Sequence, residues 1–215
     1  HVVLGNHDMH SGPAGMRAEI EYSKVSRKWR MPDRYYSFKA GAAEFFALDT
    51  NTYRHDSAQA SWLSNALNES QAKWKIVMGH HPLYSTGNHG YLDWAEGKSQ
   101  LKLRKALQPL LCKHKVLYLS GHEHMMQLNA LPCGVTSVVA GAAAERKTPY
   151  ANKIEDQKDT LRYYSTDSLG FGYATVSEDE LKLTFISEDN QVLFRYDVNQ
   201  PSKAQASQKV NADTR

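Results

Sequence analysis

Cysteine is scarce in this sequence: Cys112 and Cys133 are the two among 215 residues. So few exclude a scaffold built on disulfides and leave two readings, one disulfide or two thiols, and the burial preference of free cysteine favours buried thiols. Charge of one sign is scarce too. Lys and Arg number 26 and Asp and Glu 23, leaving +3, and apart from a modest cluster at Arg27–Arg34 the charges are interspersed. No nucleic-acid patch is indicated. No apolar run approaches the roughly 20 residues that span a bilayer, and no segment repeats. With 41% hydrophobic and 23% charged residues the composition is that of a globular domain, which excludes disordered and fibrous classes. No leader peptide is visible. The chain opens on His1 rather than Met, inside what reads as a core strand, and is read as a fragment of a longer protein.

Histidine, by contrast, is concentrated. Six of ten histidines (His7, His80, His81, His89, His122 and His124) fall in three stretches, VVLGNHD at Val2–Asp8, VMGHHPLYSTGNH at Val77–His89 and VLYLSGHEH at Val116–His124, and a seventh, His10, follows the first of them by two residues. Each stretch is a short apolar strand, a glycine turn, then nitrogen or amide ligands. One histidine alone is by default a solvated or core side chain, and His55 and His114 are read here as solvated; three such turns together build a metal site.

The remaining pattern supplies a frame. His1–Leu4 reads as a buried strand, Met9–Arg34 as a long loop or irregular helix broken by Gly12, Pro13 and Gly15, and Tyr35–Lys39 with Glu44–Asp49 as a hairpin around Gly41. Ser57 is a plausible cap for a helix carrying Ala60, Leu63, Ala66 and Leu67. Trp74–Met78 is a strand, Gln100–Cys112 a helix with a kink at Pro109, and Val116–Leu119 and Thr136–Ala140 are strands. Ala142–Ser168 reads as a surface loop near the site, and Phe171–Val176, Leu181–Ile186 and Val192–Val198 as an antiparallel meander. One domain over 1–198 is expected, with a disordered tail at 199–215. The order implies an α/β protein with mixed sheets.

Spacing then suggests roles. If the backbone of GHEH stays extended, His122 and His124 share a face with Cα atoms about 6.6 Å apart, and each serves one metal of a pair about 3.5–4 Å apart. His80 approaches from a neighbouring strand, and Asn6 offers an amide oxygen. Imidazole with oxygen donors suits zinc, iron or manganese rather than calcium or magnesium. Asp8 is placed to hold the tautomer of His7. His81 and His10 either line the pocket or pack beside it. Four ligands do not complete two metal sites, so bridging carboxylates are expected upstream of His1.

GNHD, GHHP and GHEH, in that order and each after an apolar strand, resemble the calcineurin-like metallophosphoesterase superfamily. YYSFKAG, EFFALDT, QASWL, GHHPLYSTGNHG and SGHEHMMQ resemble its purple, tartrate-resistant acid phosphatase type, over roughly residues 1–145. The DxH and GDxxY motifs of that family, with its aspartate and tyrosine ligands, are absent. The resemblance implies a mixed β-sandwich flanked by helices, an αββα fold, here without its N-terminal strands. It implies Asn6, His80 and His122 on one metal and His124 on the other, with His7 and His89 touching the phosphate or protonating the leaving group. The two metals would be iron with iron, zinc or manganese, and a metal-bound hydroxide would hydrolyse a phosphate monoester, either a small molecule or a phosphoprotein. A phosphodiesterase or nucleotidase, or a non-catalytic binding module on the same fold, are the alternatives. The fragment alone is expected to be inactive, and the family suggests a secreted, periplasmic or lysosomal address.

Overall fold

The computed structural model describes residues 1–88, 97–165 and 167–198. His89 and the tail at 199–215 lie outside the described residues, as do the side chains of 97–99. No described helix is long and apolar enough to cross a membrane.

Among the described residues ten strands form two sheets: β1 (Tyr36–Ala40), β2 (Ala43–Ala47), β3 (Trp74–Met78), β4 (Leu117–Ser120), β5 (Met126–Ala130), β6 (Thr136–Ala140), β7 (Leu161–Tyr164), β8 (Gly170–Val176), β9 (Leu181–Ser187) and β10 (Val192–Asp197). The larger sheet runs β1-β2-β3-β4-β6-β5-β7 and the smaller β10-β9-β8. β2, β3, β4 and β6 are mutually parallel, while β1, β5 and β7 pair antiparallel with their neighbours. Parallel neighbours need crossovers. Here α2 (Ser57–Glu69) joins β2 to β3 and α3 (Gly97–His114) joins β3 to β4.

Alternation along the strands divides the core. Phe46, Val77 and Tyr118 face α2 and α3, where Leu63, Leu67, Leu103, Leu107 and Leu111 are buried. Their neighbours Phe45, Ile76 and Leu117 point the other way, against Leu181, Leu183 and Phe185 of the small sheet. The period-2 rule thus gives one sheet two buried faces, with helices on one side and a second sheet on the other. The expected mixed α/β architecture is the one observed, and the hairpin and the three-stranded meander are present.

Several local expectations fail for identifiable reasons. His1–Leu4 is not a strand: Leu4 is buried, but Val2 N–H bonds Arg30 O and the Tyr36 hydroxyl instead of a ladder. Pro13 does not break the chain but opens α1 (Pro13–Tyr22), because the first helical position needs no N–H. Gly15 lets that helix approach: a Cβ there would meet Asp8 O at 2.4 Å. The cap of α2 is Asp56, one residue before the expected Ser57, and it accepts from Gln59 N–H. Strand β5 escapes the sequence pattern, because Gln127 and Asn129 look like a solvated face. Both are fully buried, and Asn129 bonds Gln157 and Thr160 while Gln127 accepts from Thr86 N–H. The supposed loop at Ala142–Ser168 contains α4 (Ala151–Asp156) and β7. Cys112 and Cys133 are joined in a disulfide, with Cα atoms 5.3 Å apart, not held as separate thiols.

Candidate metal centre

β3 and β4 are adjacent and parallel, so both deliver their C-terminal turns to one end of the sheet. The backbone ladder continues past the strands: Gly79 N–H donates to Leu119 O at 3.0 Å, and Gly121 N–H to His80 O at 3.1 Å. His80 and His122, each one residue beyond its glycine, are thereby brought side by side. Gly79 has to be glycine for packing reasons. A Cβ there would lie 2.5 Å from Thr50 Cγ2 and 2.9 Å from the Tyr118 hydroxyl.

His122 adopts φ +65°, a left-handed conformation that costs a non-glycine residue about 1–2 kcal/mol. The backbone of GHEH is therefore not extended, which corrects the expectation that His122 and His124 share a face. His122 turns toward His80, with Nδ1 3.0 Å from His80 Nε2. Asn6 Oδ1 completes a triangle, 2.7 Å from His80 Nε2 and 3.2 Å from His122 Nδ1. Asn51 Nδ2, itself bonded to Asp49 Oδ1 at 3.0 Å, reaches Leu4 O and Gly5 O at 3.4 Å and ties the Asn6 segment to the end of β2.

His81 joins the group. Ligand atoms of His80, His81 and His122 all lie within 4.8 Å of one another. Its ring sits 4.6 Å from that of His122, and Thr50 Oγ1 is 2.9 Å from its Nδ1. The Tyr118 hydroxyl donates to His81 O at 2.7 Å, and complete burial pushes that phenol well above its ordinary pKa, so it remains a donor. The choice left open in the sequence is thus answered: His81 lines the cluster.

His124 has its Nδ1 2.8 Å from Glu145 Oε2. His7 is exposed, with its ring centroid 4.7 Å from that of His10. The Asp8 carboxylate accepts from Gly5 N–H at 2.7 Å, and this turn contact replaces the expected bond to His7. Glu123, in the middle of GHEH, is fully buried and accepts from Ser85 Oγ at 3.0 Å. Sequence reasoning singles out none of Thr50, Tyr118, Glu123 and Glu145. Only the charged position inside the GHEH motif offers a signal in the sequence itself.

The donor set fits a metal ion. Donor atoms around tetrahedral zinc at about 2.1 Å are about 3.4 Å apart, and the triangle's edges of 2.7, 3.0 and 3.2 Å are only slightly tighter. Neutral imidazole and amide donors carry no charge to balance the ion, and among the described residues the three-residue ligand cluster contains histidine alone.

Residues 1–126 match the family described as Calcineurin-like phosphoesterase. Tartrate-resistant acid phosphatase type 5 of Homo sapiens is 30% identical, over 91% of this chain and 65% of its own length. The Sus scrofa protein of that name is 29% identical over 91% of this chain. The chain spans 62% of the length of that pig relative. Among solved structures, a purple acid phosphatase from yellow lupin seeds (Lupinus luteus) superposes with TM-score 0.60 at 20% identity, over 82% of this chain and 37% of that one, a likeness of fold.

Proposed function

The chain belongs to the calcineurin-like phosphoesterase family, and on that premise we propose that it serves the metal-dependent hydrolysis of phosphate monoesters, with two metal ions as cofactor. The observation that carries this reading is the convergence of Asn6, His80 and His122 on one point. These three would hold one ion, with His81 beside them, and His124 would serve the second. When bound, such a pair neutralises charge on phosphoryl oxygens and makes water acidic enough to attack at neutral pH.

The chain's own side chains have the remaining work. Exposed His7 on its short turn, held by the Asp8–Gly5 contact, would bind a phosphate oxygen or hand a proton to the leaving alkoxide. His89 would share that task. Glu145, against His124, would hold that ring's orientation and raise its basicity as a ligand. The relatives named as acid phosphatases support a monoester substrate.

The test uses the full-length natural protein. Metal content is measured by elemental analysis, and an aryl phosphate is compared with its bis-aryl diester. Two ions per chain and faster monoester turnover are expected, and His122→Ala should cost at least about 10–100-fold in metal affinity or activity. Faster diester turnover would make the protein a phosphodiesterase. Metal-free protein, or hydrolysis untouched by His122→Ala, would overturn the reading.

A further inference from the structure

A cavity of about 700 Å³ opens at the other end of the same strands, among residues that the metal centre does not use. Lys75 near the start of β3, Leu117 at the start of β4 and Thr136 at the start of β6 line it. At about 3.3 Å per residue, Lys75 lies about 16 Å along the chain from His80. The volume falls in the range of small-molecule sites.

Its chemistry is one-sided. Lys73, Lys75, Lys115 and Arg162 line the cavity, and no Asp or Glu is among the described lining residues. The Arg162 guanidinium donates to the carbonyls of Asp159 and Leu161 at 3.0 and 3.2 Å, which orients the head without neutralising it. His114 also lines the wall, and its Nε2 is buried with no hydrogen-bond partner among the described residues. Burial first, then the charges of Lys75 and Lys113, hold that imidazole below its ordinary pKa. A buried ring nitrogen without a partner beside four cations is a costly arrangement unless a ligand answers it.

The wall is also braced. The Cys112–Cys133 disulfide ties the end of α3 to the β5–β6 turn. Lys115 stands at φ +50°, its stem lying over Gly134, where a Cβ would come within 3.2 Å of Lys115 Cγ. Between the cations the lining is apolar and aromatic, with Leu131, Val135, Leu181 and Tyr196.

We propose that this cleft binds an organic polyphosphate of the nucleoside triphosphate type, its phosphates on Lys73, Lys75, Lys115 and Arg162 and its ring on the apolar lining. Four cations match a ligand of three to four negative charges, and the apolar surface distinguishes it from inorganic polyphosphate. The chain's own residues 199–215 are not the complement, since Lys203, Lys209 and Arg215 against Asp213 give +2. The proposal stands independently of the phosphatase reading.

The experiment is calorimetric titration of the full-length, metal-stripped protein with a non-hydrolysable imido nucleoside triphosphate and, separately, with tripolyphosphate. The nucleotide analogue should bind one per chain and more tightly than tripolyphosphate. Lys73→Glu with Lys115→Glu, two exposed positions, should weaken it at least about tenfold, and Lys73→Gln with Lys115→Gln by less. His80→Ala, at the metal centre, should leave binding within twofold. The proposal is overturned by absent binding, by equal affinity for tripolyphosphate, by indifference to charge reversal in folded protein, or by loss of binding in His80→Ala.

Discussion

Replacing Gly79 by alanine tests whether the metal-site turn is held by close packing. The added Cβ would lie 2.5 Å from Thr50 Cγ2 and 2.9 Å from the Tyr118 hydroxyl. Thr50 is 5% exposed and Tyr118 wholly buried, so neither can swing into solvent. Both hold His81: Thr50 Oγ1 accepts from His81 N–H at 3.1 Å, and Tyr118 donates to His81 O at 2.7 Å. Overpacking of this kind costs about 1–3 kcal/mol, and a disturbed hydrogen bond adds about 1 kcal/mol. The stiffer unfolded chain of an alanine variant offsets about 0.4–1 kcal/mol. The net expectation is a loss of about 1–4 kcal/mol. Gly121, at the equivalent place in the other histidine motif, meets nothing within 4 Å and has no positive φ. Gly121→Ala should therefore be neutral or stabilise by up to about 1 kcal/mol. Urea denaturation of metal-free protein, followed by circular dichroism, measures both. Equal losses in the two variants, or an unchanged midpoint for Gly79→Ala, would refute the packing argument.

Reduction should also be felt. The Cys112–Cys133 bond closes a loop with a sequence separation of 21, and loop entropy predicts a loss of about 3 kcal/mol on reduction; denaturation with and without reductant reads this, and coincident curves would contradict it. Acid stability depends on Asp56, whose carboxyl is held below its ordinary pKa first by Gln59 N–H and then by Arg34. A depressed folded pKa contributes stability above the unfolded value, about 3.9, and loses it as pH falls below. Asp56→Asn should therefore flatten the stability curve below about pH 4, and an acid limb identical to wild type would count against the assignment.

Much of the frame is legible because local rules and tertiary packing agree there. The hairpin around Gly41, the strand Trp74–Met78, the helix with Leu63 and Leu67 and the last three strands all follow hydrophobic period. Legibility fails where polar residues are buried or where a breaker is used as a start. Gln127 and Asn129 look solvated in sequence, yet each finds its partners inside. Pro13 looks like a stop and opens a helix.

The same division runs through the site. Sequence alone determined that Asn6, His80 and His122 follow short apolar strands or turns with the chemistry of metal ligands, because residue type and spacing are local properties. Tertiary structure decided which of these meet. Adjacency of β3 and β4 brings His80 and His122 together, and the left-handed backbone of His122 breaks the extended course that spacing alone suggested for GHEH. It also gathered the Lys73–Lys75 pair, Lys115 and Arg162, from three separate stretches of the chain and unremarkable as a charge pattern, around one cavity. Electrostatic fields depend on distance in space, which sheet order sets and sequence separation does not.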